Sequence, residues 1–205
     1  MKELEKRSYS FDPRAEGNRI TGRPIVYGSR TDIGPFDEII EPGALNGADL
    51  TDVRFLVNHD ISRIPLARSR RNNGNSTMQL TPDEQGMMID VQLDTENNAD
   101  ARSLYSAVER GDISGMSFMF SISDEEWENL ESDHPTRHIR SIGSVVEVSA
   151  VTFPAYKSTE INARSAETLE SARAAVETAK QQRAASVETD ELELAKAKYE
   201  FKSKF

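Results

Sequence analysis

Across its 205 residues the chain carries 25 Lys+Arg against 35 Asp+Glu, a formal net charge of −10, and no cysteine. The missing thiols exclude a disulfide-stapled scaffold, a thiolate zinc site and a cysteine nucleophile, and the acidic balance opposes general binding to nucleic acid or an anionic membrane. With 37% hydrophobic and 7% aromatic residues the composition supports one ordinary core rather than two large domains, and no apolar run approaches the roughly 18 residues of a membrane helix.

The start, Met1-Lys2-Glu3-Leu4-Glu5-Lys6-Arg7, mixes charges with no apolar stretch behind it, unlike a secretion signal, so a cytoplasmic setting is expected. Residues 1–18 are expected as a charged arm. A first strand is predicted over Ile20 to Tyr27. A second follows where Val53, Phe55 and Val57 alternate with Arg54, Leu56 and Asn58. His59 ends that strand and Asp60 follows it, a place where sheets present functional side chains, although a satisfied structural histidine fits the same position. Arg63, Arg68, Arg70 and Arg71 form the best basic cluster, short enough to be a solvated loop. Turn chemistry at Asn72-Asn73-Gly74 and at Asp83-Glu84-Gln85-Gly86 precedes a third alternating run, Met87, Ile89, Val91 and Leu93.

Ala101, Leu104, Tyr105 and Val108 then fall at i, i+3, i+4 and i+7, which predicts a helix with Asn98 as N-cap and Gly111 as stop. Beyond it, Met116, Phe118, Phe120 and Ile122 share one face of a strand, so Ser117 projects from the other face, beside Gly115. That is the open side a nucleophile needs. It also suits a small residue that spaces two sheets, and Ser114 falls on the apolar parity. His134 and His138 have the spacing of two ligands on a helix, but Pro135 stands between them and no Glu follows His134, so a turn is expected there.

Two last strands are predicted over Arg137 to Ile142 and Ser144 to Phe153. In the second, Glu147 interrupts an apolar run, and a carboxylate buried there needs a partner. That partner is either an arginine such as Arg54 or Arg140, or the Nδ1–H of a catalytic imidazole.

From Ala163 to Phe205 the chain holds ten Ala with eight acidic and eight basic residues and neither Gly nor Pro, a helix-forming composition. Leu169, Ala172, Val176 and Ala179 form a weak seam, and Val187, Leu194 and Phe201 recur every seven residues in a shifted phase. Three parts are expected: the arm at 1–18, a domain at 19–160 and a helical tail at 161–205. Many short strands with one firm internal helix predict a curved sheet or closed barrel carrying helices outside it.

Five segments in register carry a resemblance: Gly22-Arg23-Pro24-Ile25-Val26-Tyr27; Phe36-Asp37-Glu38-Ile39-Ile40-Glu41-Pro42-Gly43-Ala44-Leu45; Leu56-Val57-Asn58-His59-Asp60 with Ile64-Pro65-Leu66-Ala67-Arg68; Gly111-Asp112-Ile113-Ser114-Gly115-Met116-Ser117-Phe118; and Glu147-Val148-Ser149-Ala150-Val151-Thr152-Phe153-Pro154-Ala155-Tyr156. Together and in this order they resemble the prohead (capsid maturation) serine proteases of tailed bacteriophages. The resemblance implies an α+β fold, mostly a β-barrel of the herpesvirus-protease type with peripheral helices. It implies an endopeptidase acting inside the procapsid, in the host bacterial cytoplasm, on scaffold and major capsid proteins and on itself. Carried over position by position, the nucleophile is Ser117, the base His59 and the third member Glu147, with His138 the alternative because the herpesvirus enzymes use a second histidine. Oxyanion donors remain open among Arg68, Arg140 and the amides near Gly115. No metal or organic cofactor, nucleic acid or membrane is implied, and self-association of the enzyme is compatible with it. The competing accounts are a non-catalytic internal scaffold or assembly protein, a metal-dependent hydrolase and an inert domain. The scaffold account explains the Ala/Glu/Lys tail but gives no reason for His59, Ser117 and Glu147 to stand in matching motifs.

Overall fold

Alternating apolar residues become two β-sheets. The computed structural model describes residues 4–9, 14–71, 74–152 and 166–202, and within them the chain is α+β. The larger, seven-stranded sheet runs β1 (Glu5–Tyr9), β10 (Gly115–Glu128), β11 (Thr136–Val151), β5 (Asp37–Ile40) and β4 (Thr31–Asp32). β6 (Asp52–Val57) also pairs with β11 and carries β7 (Ala67–Arg70) on its far side. The second sheet has four strands in the order β2 (Arg14–Glu16), β3 (Arg19–Val26), β9 (Gly86–Gln92) and β8 (Met78–Asp83).

β11 organises the larger sheet. The two strands expected on either side of Gly143 are one strand of 16 residues. One edge takes β10 antiparallel; the other takes β5 in parallel at Thr136 to Ile139 and β6 in parallel at Glu147 to Ala150. Between those two partners the Gly143 carbonyl accepts the Asp49 N–H at 2.9 Å, so the backbone stays satisfied where neither strand reaches. Phe153, the expected end of this strand, lies outside the described residues, as do Asn72 and Asn73 of the expected turn, the Pro154 to Tyr156 motif and the first residues of the tail.

The sheets do not close into a barrel, which corrects that expectation. At the seam between β7 and β8 the partners are side chains rather than a ladder. Thr77 Oγ1 accepts the Arg68 N–H and Ser76 Oγ accepts the Arg70 N–H, both at 2.9 Å. Hydroxyls occupy the donors a continuing ladder would use, so the sheets meet as two packed layers. Between them lies a core that includes Ile20, Ile25, Phe55, Met87, Ile89, Phe118, Phe120 and Val148. Gly22 permits the close approach, since a Cβ there would stand 2.5 Å from Met116 Sδ on β10.

Other expectations hold locally. α1 (Ala99–Glu109) starts at Asn98, whose Oδ1 accepts the N–H groups of Asp100 and Ala101 at 2.9 and 3.2 Å, and it buries Ala101, Leu104 and Val108. Gly111 follows in the left-handed region at φ +79°. Met87 to Gln92 alternates as predicted, in a hairpin turned by Glu84 and Gln85.

α2 (Ala166–Lys202) is the Ala-rich tail. Ala172, Val176 and Ala179, three of its first seam, pack with Ile33, Phe36, Leu130 and Trp127. Phe36 and Trp127 meet edge to face at 4.9 Å, and the Arg137 guanidinium lies over both rings. Farther along, Val187 and Leu192 are exposed, and the side chains of Leu194 and Phe201 lie outside those described. Among the described residues no helix is long and apolar enough to cross a membrane.

Candidate active site

Three neighbouring strands of the larger sheet deliver the three residues marked out by sequence. β6 runs parallel to the end of β11 and stops at Val57, because Asn58 and His59 both turn into the left-handed region, at φ +51° and +59°. Asparagine tolerates that region; a histidine there costs roughly 1–2 kcal/mol, strain of the kind stored at functional sites. The turn is held from β11. Asn58 N–H donates to the Ala150 carbonyl at 2.9 Å, and Asn58 Oδ1 accepts the Thr152 N–H at 3.0 Å.

That turn swings the imidazole over β11. His59 Nδ1 lies 2.5 Å from Glu147 Oε1, and the Glu147 carboxylate is only 1% exposed. The buried carboxylate therefore has its partner, and the partner is the imidazole. Arg54 binds Asp52 instead, and Arg140 pairs with Glu126. The second carboxylate oxygen is also occupied: Ser149 Oγ donates to Glu147 Oε2 at 2.5 Å while accepting the His59 N–H at 3.2 Å. One hydroxyl thus links the carboxylate to the backbone of the histidine it orients. With Nδ1 facing the carboxylate, Nε2 is left as the basic nitrogen.

Ser117 comes from β10, the next strand, in direct register with Ser149, while Met119 faces Glu147. Facing residues of an antiparallel pair project from the same side, so Ser117 joins the face that carries Ser149 and Glu147. The serine is fully buried, and its Oγ donates to the Arg7 carbonyl at 2.7 Å. Alongside it runs β1, whose Ser8 lies opposite Ser117 in an antiparallel ladder from Glu5–Phe120 to Tyr9–Met116. Residues 5–9, within the expected charged arm, are thus an edge strand. Ser114 is exposed ahead of β10.

His138 stands elsewhere. Its Nδ1 lies 2.7 Å from Glu41 Oε1 and its Nε2 3.3 Å from Glu128 Oε2, beside a cavity of about 540 Å³ lined by Glu41, Pro42, Glu126, Glu128 and Arg140. Arg68 is chelated by Asp52 at 2.5 and 2.7 Å. Asp32, Asp37 and His134 place one ligand atom each within 4.8 Å of one another, but Asp37 is already held by His134 and Arg30, and although burial would raise its carboxyl, the hydrogen bonds from these two keep it below the ordinary range.

A buried charge network fixes β1. The Arg7 guanidinium grips the 1%-exposed Glu38 through Nε and through Nη2 at 2.6 Å, binds Glu5, and lies 5.7 Å from the Phe120 ring centroid. Arg137 joins Glu5, Glu38 and Glu125. Burial would raise the Glu5 carboxyl, but Arg7 and Arg137 together hold it below its usual value; Arg7 in turn is shifted upward, Glu38 and Glu5 overcoming its desolvation.

Two of these residues escaped sequence reasoning. Ser149 had a legible signal, since it stands two places from Glu147 on the same face of one strand. Arg7 had none, because its role depends on a strand pairing more than a hundred residues away.

An imidazole oriented by a buried carboxylate, with a serine in register on the neighbouring strand, carries the residue types of a serine hydrolase. The chain belongs to the caudovirus prohead serine proteases, whose family model matches residues 2–173. It is 30% identical over 122 residues to the prohead protease of Enterobacteria phage HK97, an alignment that covers 58% of this chain and 48% of that relative. The chain thus spans about half the length of the curated relative it matches. No solved structure matches the chain.

Proposed function

We propose that this chain is a serine endopeptidase of procapsid maturation, cutting scaffold and capsid-protein segments and its own chain inside the phage procapsid. Ser117 Oγ attacks the scissile carbonyl carbon, and His59 Nε2 takes its proton and then delivers it to the leaving amine. Glu147 holds the tautomer and stabilises the imidazolium, and Ser149 positions Glu147. Water then hydrolyses the ester. General base catalysis of this kind contributes about 10²- to 10⁴-fold. No metal or organic cofactor is needed for these steps.

The observation that carries the reading is the His59–Glu147 contact at 2.5 Å, on the strand paired in register with Ser117. Family membership makes hydrolysis of a peptide bond the chemistry to assign to it. The tail fits a second task. Its first turns are docked against Phe36 and Trp127, and its distal part, with Val187 and Leu192 exposed, is offered to scaffold during assembly.

Co-expression with the neighbouring capsid and scaffold proteins tests this. Intact masses should show clipped scaffold with the wild type and uncut scaffold with Ser117→Ala. Uncut scaffold in both samples would make the chain an assembly factor, the competing reading; clipped scaffold in both would move the nucleophile to Ser114, which Ser114→Ala decides.

A further inference from the structure

β1 is held on the nucleophile strand as a peptide would be held for cleavage. It is the edge strand of the larger sheet, its ladder partner among the described residues is β10 alone, and Ser117 stands on β10 in register with its Ser8. An extended peptide added to such an edge takes its affinity from main-chain hydrogen bonds and its selectivity from pockets for side chains. Here the carbonyl that meets Ser117 Oγ belongs to Arg7, and the Arg7 side chain fills a built seat.

That seat suits a guanidinium. Glu38 receives Nε and Nη2 in a two-pronged grip, Nη1 donates to the Lys6 carbonyl at 2.8 Å, and the cation rides over Phe120. The planar fork of arginine matches such a carboxylate, whereas the ammonium of lysine is a point charge that cannot bridge both oxygens. The pairing of Glu38 points the same way. With β1 in place this 1%-exposed carboxylate is shared by Arg7 and Arg137; without Arg7 it keeps Arg137, 3.5 Å away and also bound to Glu125. A cation from the next strand restores the partner that a buried carboxylate has lost.

We propose that Glu38, with Phe120 beside it, is the specificity seat that selects an arginine as the residue supplying the scissile carbonyl, and that Arg7–Ser8 is the bond of its own chain that this seat presents first. The inference rests on the protease reading above. In the resting arrangement the Ser117 hydroxyl donates its hydrogen bond to the Arg7 carbonyl oxygen. Rotation of Oγ toward Nε2 begins the reaction: an ester forms between Ser117 Oγ and the Arg7 carbonyl carbon, the Arg7–Ser8 C–N bond breaks, and His59 passes the serine proton to the Ser8 amine. Water cleaves the ester, leaving a carboxylate on Arg7 and the hydroxyl on Ser117.

The test uses the full chain. Intact mass and N-terminal sequencing should show loss of residues 1–7 in the wild type and none in Ser117→Ala; Arg7→Lys should slow that cut and Arg7→Gln abolish it. Two quenched peptides differing only in Arg or Gln at the residue before the scissile bond should be cut by the wild type with a preference of at least about tenfold for Arg. Glu38→Gln should collapse that ratio. If this variant fails to fold by circular dichroism, the wild-type peptide pair and the Arg7 series decide the matter. Ser117-dependent cleavage without preference for Arg, or with Arg7–Ser8 left intact, overturns the specificity seat while sparing the protease. Failure of the wild type to cut any substrate overturns both.

Discussion

Replacing Glu147 by glutamine separates the chemistry of the site from its stability. The substitution keeps shape and volume and removes one charge from a position that is 1% exposed. A glutamine oxygen still accepts from Ser149 Oγ, so the 2.5 Å link on that side survives. On the other side the carboxylate that accepts Nδ1–H at 2.5 Å becomes an amide able to donate, which favours the tautomer with its proton on Nε2. That nitrogen then has no lone pair for the serine proton. The corresponding carboxylate-to-amide change in the Ser-His-Asp template lowers kcat by about 10⁴-fold, equivalent to a barrier of about 5–6 kcal/mol. Stability should move little, because a buried charge and one charge-assisted hydrogen bond, worth about 1.5–3 kcal/mol, disappear together. Single-turnover cleavage of a peptide substrate, read beside a thermal melt, measures both. A loss of activity under about tenfold with an unchanged melt would refute the role of Glu147; a collapsed melt would show the carboxylate to be a structural anchor.

Three other outcomes are expected. Gly86→Ala should destabilise the β8–β9 hairpin by about 2 kcal/mol or more, since Gly86 sits at φ +139° and a Cβ there would stand 2.0 Å from the Ile25 carbonyl oxygen; the melt should fall by about 4–8 °C. Val176→Asp should undock α2 from Phe36 and Trp127, seen as a red-shifted Trp127 emission, while peptide cleavage continues. Acid should loosen β1. The Glu5 carboxyl is held below 4.5 in the folded chain, so its contribution is complete above that value and fades as pH falls toward the folded pKa. In the uncut Ser117→Ala chain, hydrogen exchange at the β1 amides, corrected for intrinsic rates, should stay constant from pH 7 to 5 and rise below 4.5; constant protection to pH 3 would count against the Glu5 link.

Local rules made part of this molecule legible and tertiary pairing decided the rest. The Asn98 cap, the stop at Gly111 and the alternation of Met87 to Val91 depend on neighbours within a few residues. The face that Ser117 takes was legible by parity, because it follows from the positions of Met116 and Phe118 whatever strands lie beside it. Gly143 misled, since glycine commonly ends a strand, but here its carbonyl is taken by Asp49 from a distant loop and the strand runs on. Glu5-Lys6-Arg7 misled in the opposite direction. Three charged residues in succession suggest a charged arm, whereas the counter-charges of Glu38 and Arg137, brought by β5 and β11, hold Glu5 and bury Arg7 in an edge strand whose Lys6 stays exposed. A closed barrel was a reasonable expectation from many short strands, yet between β7 and β8 Ser76 and Thr77 use hydroxyls in place of a ladder, and the strands form two sheets.

Covalent capture of the nucleophile addresses the central claim most directly. A peptidyl phosphonate ester bearing arginine next to the phosphorus, incubated with the full chain and mapped by peptide mass spectrometry, should add its mass to Ser117 and to no other serine. Ser117→Ala and His59→Ala should each abolish the adduct. An adduct on Ser114, or proteolysis that persists in Ser117→Ala, would contradict the account.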